Sequence, residues 1–163
     1  MIETERLKIY PLTAPQLALW VEDIAALEKE LGCRYMAEPL EGIFLDIIKG
    51  QIKVTQDDAE NYMWHSFWFL ERKSDGVIVG SADFKNLPNK AGEVEIGYGL
   101  GAEFEHNGYM TETVQAMCDW AMRQKNVSRV IAETERDGYA SQRILQRCGF
   151  TQTKNGDTLW WGK

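Results

Sequence analysis

Apolar and polar positions alternate over residues 3–12, where Leu7, Ile9 and Pro11 stand opposite Arg6, Lys8 and Tyr10. That period predicts a strand ending at Pro11. The period then lengthens. Leu17, Trp20, Val21, Ile24, Leu27 and Leu31 share one helical stripe. They predict a single helix from Thr13 or Ala14, with Pro15 tolerated in its first turn and Gly32 as its stop. Cys33 to Pro39 reads as a connection. A second helix over about residues 41–53 turns Phe44, Ile47, Ile48 and Ile52 inward, and Gly50 leaves its end open. Residues 56–60 read as a loop or a short helical turn.

From Met63 the pattern is that of strands. Trp64 to Arg72 is rich in aromatic residues, Ser74-Asp75-Gly76 turns the chain, and Val77 to Phe84 returns. A turn over residues 87–92 leads to the strand Glu93–Leu100, completing an antiparallel meander. Met110, Val114, Met117, Cys118 and Ala121 then mark the apolar face of a helix over 109–124, followed by a strand at Ser128–Glu133. Strand, helix, strand implies a right-handed crossover and a locally parallel pair. A short helix over 139–147 ends at Gly149-Phe150. Asn155-Gly156-Asp157 joins the last two strands as a hairpin.

The stretch from Val94 to Glu112 carries the candidate chemistry. Gly97, Gly99 and Gly101 weaken the end of a strand and point to a bulge or to close approach by a ligand or another backbone. Gly108 opens the next helix. The unbonded amides of a helix's first turn, with the positive end of its dipole, suit an anion. On these residues alone a ligand-free turn is the favoured reading of the pattern.

A chain of 163 residues suggests one domain over 1–163, and 44% apolar residues with six tryptophans suffice for a core. The opening M-I-E-T-E-R-L lacks the basic and apolar segments of a signal peptide. No run approaches the roughly 18 apolar residues of a membrane span. Cys33, Cys118 and Cys148 are odd in number and scattered, as reduced thiols in a cytoplasmic protein would be; Cys118 and Cys148 sit on apolar helix faces. His65 and His106 are too isolated to form a metal site, and no metal is expected. The net charge of −7 argues against a nucleic-acid partner. Residues 14–62 hold ten acids against four bases, either a solvated face or a field that attracts a cation.

Three segments carry a family resemblance. E-I-G-Y-G-L-G-A-E-F at Glu95–Phe104 resembles the E-I-G-Y-x-L-x-P-E strand and turn of the GNAT superfamily of acetyl-CoA-dependent N-acyltransferases. N-G-Y-M-T-E at Asn107–Glu112 resembles its G-K-G-Y-A-T-E phosphate turn, and A-S-Q-R-I-L-Q-R-C-G-F at Ala140–Phe150 its A-S-x-R-V-L-E-K-x-G-F helix. The opening T-E-R-L at Thr4–Leu7 is similar to the branch of ribosomal-protein N-terminal acetyltransferases. The resemblance spans nearly the whole chain. It implies a mixed α+β fold: a mostly antiparallel sheet of six to seven strands with one splayed parallel pair, flanked by about four helices.

The same resemblance implies acetyl-CoA as co-substrate and direct attack by a primary amine, of a protein N-terminus or a small molecule. Backbone groups of Tyr98, Gly99 and Leu100 would bond the pantetheine amides. The amides of His106, Asn107, Gly108, Tyr109, Met110 and Thr111, with the Thr111 hydroxyl, would bind the pyrophosphate. Glu95 is the implied general base, with Glu93 second on the same strand face. Ser141 is the implied partner of the thioester sulfur, with a helix N-cap as its alternative role. The sequence departs from the family at Glu105, His106 and Met110 of the phosphate turn. It also departs at Gly138, where an asparagine is usual, and at Leu145, where many members carry an acid tyrosine. Those departures keep a rival reading open, a CoA-binding regulator or scaffold without turnover. Exposed sheet edges make a homodimer an option.

Overall fold

A computed structural model describes residues 1–163. Its nine strands are β1 (Ile2–Glu3), β2 (Leu7–Pro11), β3 (Arg34–Tyr35), β4 (Phe67–Arg72), β5 (Val77–Phe84), β6 (Glu93–Leu100), β7 (Arg129–Glu135), β8 (Thr151–Asn155) and β9 (Thr158–Gly162). Its six helices are α1 (Ala14–Glu22), α2 (Ile24–Leu31), α3 (Gly42–Asp57), α4 (Tyr62–His65), α5 (Tyr109–Met122) and α6 (Tyr139–Arg147). The strands form one open sheet in the order β1-β2-β4-β5-β6-β7-β9-β8, with β3 set beside β5. This is the mixed α+β architecture expected. The additional strands are the two-residue β1 and β3, too short for a periodic pattern to register. The β6–β7 pair is parallel, as the crossover requires, and the short β3–β5 pair is parallel too.

Three elements differ from expectation for local reasons. The apolar stripe over 14–31 belongs to two helices. Asp23 breaks it, because its backbone is non-helical (φ −154°, ψ 81°) and its carboxylate accepts from the Ala26 amide at 3.1 Å, capping α2. The helix α3 runs through Gly50 to Asp57, and Ile47, expected inward, is 47% exposed. The aromatic strand starts at Phe67 rather than Trp64. Tyr62–His65 form a single helical turn, and the Trp68 indole donates to the Met63 carbonyl at 2.9 Å.

The sheet buries a core on each face. Val94, Ile96, Val130 and Ala132 point to one face, where they meet Met110, Val114, Met117, Cys118 and Ala121 of α5 and Leu145 of α6. On the other face Phe67 and Phe69 meet Leu17 and Trp20 of α1, Leu27 of α2 and Ile48 of α3. Trp20 packs edge-on against Tyr35, Phe44, Phe67 and Phe69, with ring centroids 4.9 to 6.1 Å apart. Each fully buried side chain of this size contributes about 1.5–3 kcal/mol. These contacts hold the first three helices on the face where the Glu95 side chain emerges and to which Gly97 and Gly99 are turned. No helix is long and apolar enough to cross a membrane.

Candidate active site

The strands β6 and β7 pair only at Glu93–Arg129, Val94–Val130 and Glu95–Ile131. Beyond Glu95 they part. On its other side β6 stays paired with β5 as far as Leu100, with Lys85 donating to the Glu95 carbonyl and Gly101 to the Val79 carbonyl. Hydrogen-bonded and non-bonded pairs alternate in an antiparallel ladder. The backbone groups of Tyr98 and Leu100 therefore face away from β5, toward the gap. The gap continues into a cleft of about 270 Å³ between the start of α5 and the outer face of α6.

The start of α5 supplies the polar end of the cleft. Gly108 is its N-cap, with φ of +80°, and no side chain caps the helix. Helix geometry leaves the first-turn amides of Tyr109, Met110 and Thr111 without intrahelical acceptors. The turn before them is held from behind. The Asn107 side chain donates to the carbonyls of Phe104 and Glu105 at 3.1 and 3.0 Å. Arg6 donates to the Asn107 carbonyl at 2.8 Å, pairs with Glu112 at 2.8 Å, and lies 4.4 Å from the Tyr109 ring centre. Thr4 also donates to Glu112. His106 has φ of +65°, a left-handed conformation at the position where the family often carries glycine.

Of the residues expected in the site, Tyr98, Gly99, Leu100, His106, Gly108, Tyr109, Met110, Thr111 and Ser141 line this cleft. Asn107 lies in the turn, but its side chain is turned back into the loop. Tyr109 and Met110 are buried, so they offer the cleft chiefly backbone. Arg143 and Arg147 also line it, four residues apart on one face of α6. The sequence reading passed them over. They belong to the quoted A-S-Q-R-I-L-Q-R stretch, where a pair four residues apart looks like an ordinary solvated helix face. Glu105 brings a carboxylate to the same cleft.

Glu95 emerges on the opposite face of the sheet, half-buried. Burial raises its pKa; Lys85 opposes the rise, while Glu133 and Asp83 reinforce it. Asp83 is 7% exposed, and burial raises its pKa against the lowering effect of Lys85, 3.6 Å away. Glu38 reaches over this strand from the segment after β3. A side chain at position 99 would push its carboxylate aside. Burial, then the charge of Glu105, raises the Glu38 pKa. Glu38, Asp83, Glu95 and Glu133 thus form an acidic field around the point where β6 and β7 part. A carboxylate held above its ordinary range by burial is suited to taking a proton from an ammonium ion.

Ser141 does not cap α6. The N-cap is Gly138, without a side-chain bond. The Ser141 hydroxyl lies 2.7 Å from the Tyr98 hydroxyl instead. Leu145 is fully buried. His65 is likewise remote from the cleft: it is buried at the end of α4, with its ring 2.8 Å from the Asp58 carboxylate. No three His, Cys, Asp or Glu side chains converge as a metal site requires.

Residues 6–151 match the Acetyltransferase (GNAT) domain. The chain belongs to the GNAT acetyltransferase family. It is therefore an acyltransferase by family. A relative from Bacillus subtilis (strain 168), described as the uncharacterized N-acetyltransferase YjdG, is 30% identical over 153 residues, covering 92% of this chain and 89% of its own. Two solved structures share the fold at lower identity. A ribosomal-protein-S5-alanine acetyltransferase from Vibrio fischeri superposes with a TM-score of 0.70 at 17% identity, over 99% of this GNAT chain and 94% of its own. The ribosomal L7/L12 α-N-protein acetyltransferase RimL, solved with coenzyme A, gives 0.68 at 15% identity, over 98% and 94%.

Proposed function

We propose that this GNAT protein moves an acetyl group from acetyl-CoA to a cationic primary amine by direct attack. One observation carries the reading. Glu95 sits half-buried at the last paired position of β6 and β7, where the open backbone edge of Tyr98 and Leu100 begins. Pantetheine laid along that edge would meet the amide and carbonyl groups that β7 leaves unpaired. The first-turn amides of α5 would take the pyrophosphate, as helix N-termini take anions. Arg143 and Arg147 would face the remaining phosphate charge from across the cleft. The RimL complex with coenzyme A supports a cofactor of this class.

The acceptor would approach over the face of Glu38, Asp83, Glu95 and Glu133. An ammonium ion is attracted there and must lose a proton before it can attack. Glu95, directly or through water, would accept that proton. The amine then adds to the thioester carbonyl, the C–S bond breaks with its electron pair on sulfur, the nitrogen gives its second proton to water, and no covalent enzyme intermediate forms. Glu105 in the cleft favours a second reading, a CoA-binding protein without turnover, because its charge opposes that of the pyrophosphate.

A thermal melt with acetyl-CoA, free CoA and ATP tests the cofactor. A ligand at 100 times its dissociation constant adds about 2.7 kcal/mol. A shift of several degrees with acetyl-CoA and CoA but not with ATP is expected. Thiol release with di- and polyamines, lysine and N-terminal peptides then separates transfer from binding alone. Absence of any shift would overturn the reading.

A further inference from the structure

We propose that Tyr98 is a positioning residue for acyl transfer: its phenol donates to the Ser141 hydroxyl oxygen and so directs the Ser141 hydrogen into the cleft, toward the sulfur that leaves. The inference rests on the acetyl-transfer reading and goes beyond it, since that reading uses only the Tyr98 backbone.

The two hydroxyls are 2.7 Å apart, and the Ser141 carbonyl is a distant 3.4 Å from the phenol. A phenol is a better donor and a poorer acceptor than an alcohol, because its lone pair is delocalised into the ring. Tyr98 therefore gives its hydrogen to Ser141 Oγ. Ser141 has a single hydrogen of its own, makes no capping bond, and has no hydrogen-bond partner besides Tyr98. Its hydroxyl lines the cleft beside Gly99, Leu100 and Ala140. It is the only hydroxyl that α6 gives to that cleft; Thr111 and Tyr109 lie at the phosphate end. The Tyr98 ring is fixed in turn by packing against the core under α5 and α6. Burial pushes the phenol up to about 12, so it stays a neutral donor at ordinary pH.

The chemistry needs no proton from either hydroxyl. The amine nitrogen bonds to the carbonyl carbon, the C–S bond breaks, and its electron pair stays on sulfur. The ammonium proton goes to Glu95 before attack, and the second nitrogen proton passes to water as the amide forms. The Ser141 O–H bonds the developing thiolate, which takes a proton from water after release. A donor pre-aimed at charge that appears only in the transition state raises kcat rather than affinity. Without Tyr98, the Ser141 hydroxyl can rotate.

The test compares Tyr98→Phe, Ser141→Ala, Ser141→Thr and the Tyr98→Phe/Ser141→Ala double variant. Tyr98→Phe keeps the ring, and a melt checks that it folds. Each of Tyr98→Phe and Ser141→Ala should lower kcat about tenfold, the effect of one lost hydrogen bond, with KM for acetyl-CoA within about twofold. The double variant should lose no more than Ser141→Ala, because both changes remove one interaction. Ser141→Thr should recover most of the loss. A second readout needs no turnover. The thiol of bound CoA, followed by its ultraviolet thiolate absorbance, should titrate lower on the native protein than on Tyr98→Phe. Native kcat in Tyr98→Phe, or losses that multiply in the double variant, would overturn the proposal while leaving acetyl transfer intact. A native chain that binds no CoA would overturn both.

Discussion

Glu95 and His106 each carry a test that belongs to a single position. The Glu95 carboxylate is raised by burial, so the rising limb of kcat/KM against pH should lie above the ordinary glutamate value of about 4.3. The deprotonated form is the active one; activity is lost as pH falls through the raised value. Glu95→Gln should lower kcat by about 10² or more with little change in CoA affinity, and should remove that limb. A pH–rate series on both proteins checks this. His106 holds a left-handed backbone that disfavours any side chain. Relief of about 1–2 kcal/mol of backbone strain outweighs the entropy that glycine adds to the unfolded chain. His106→Gly should therefore stabilise the fold by about 0.5–1 kcal/mol in urea melts. Strand parity places Glu95 opposite Val94 and Ile96 directly from the sequence, whereas the role expected of it comes from the family resemblance. Arg143 and Arg147 could not be read from the sequence, because a charged pair on a short helix looks like any solvated surface until the opposite wall of the cleft is known.

Element boundaries were legible where one period ran between clear stops. β6 spans Glu93–Leu100 and α6 spans Tyr139–Arg147, as their patterns predict. They were illegible where a period continued through a break. The apolar stripe over 14–31 passes Asp23 without interruption, yet the Asp23 side chain restarts the helix. The aromatic residues Trp64, Phe67, Trp68 and Phe69 suit both a helical turn and a strand, so composition could not place the boundary at Phe67. The link between the T-E-R-L segment and the phosphate turn joins residues over a hundred positions apart, and only the fold reveals it. Burial pushes the Glu112 carboxylate up, but hydrogen bonds from Thr4 and Arg6, with the Arg6 charge, hold it below the ordinary range. Its contribution is fully present above the unfolded value of about 4.3 and is lost as pH falls through the lower folded value. Glu112→Gln should cost about 1–2 kcal/mol near pH 7, and the difference from native should vanish in strong acid. Denaturant curves across pH measure it.

Over the whole molecule, the two faces of the sheet divide the work. One carries the cleft with its arginines and helix amides; the other carries the carboxylates of Glu38, Asp83, Glu95 and Glu133. Four of the chain's 25 acids are thus gathered on one face. The excess of acids over residues 14–62 was legible, but the group around Glu95 was not, because only Glu38 comes from that stretch while Asp83 and Glu133 come from β5 and β7. Surface fields are screened over about 8 Å at physiological salt. Raising salt should lower kcat/KM for a dicationic acceptor several-fold more than for a monocationic one. A salt series with two acceptors at saturating acetyl-CoA separates this from any effect on the cofactor.

The three-pair junction between β6 and β7 has a mechanical consequence. The sheet is two panels joined at Glu93–Glu95, and the Tyr98 and Leu100 amides are vacant rungs of the ladder. A pantetheine arm occupying those rungs would act as a detachable strand that stiffens the joint. Deuterium uptake at Tyr98 and Leu100 should then slow on adding CoA, while Gly97 and Gly99, already bonded to β5, stay unchanged. The rigidity of the panel from Arg129 to Gly162 would follow the supply of the metabolite, so that the fold itself reports how much of it is at hand.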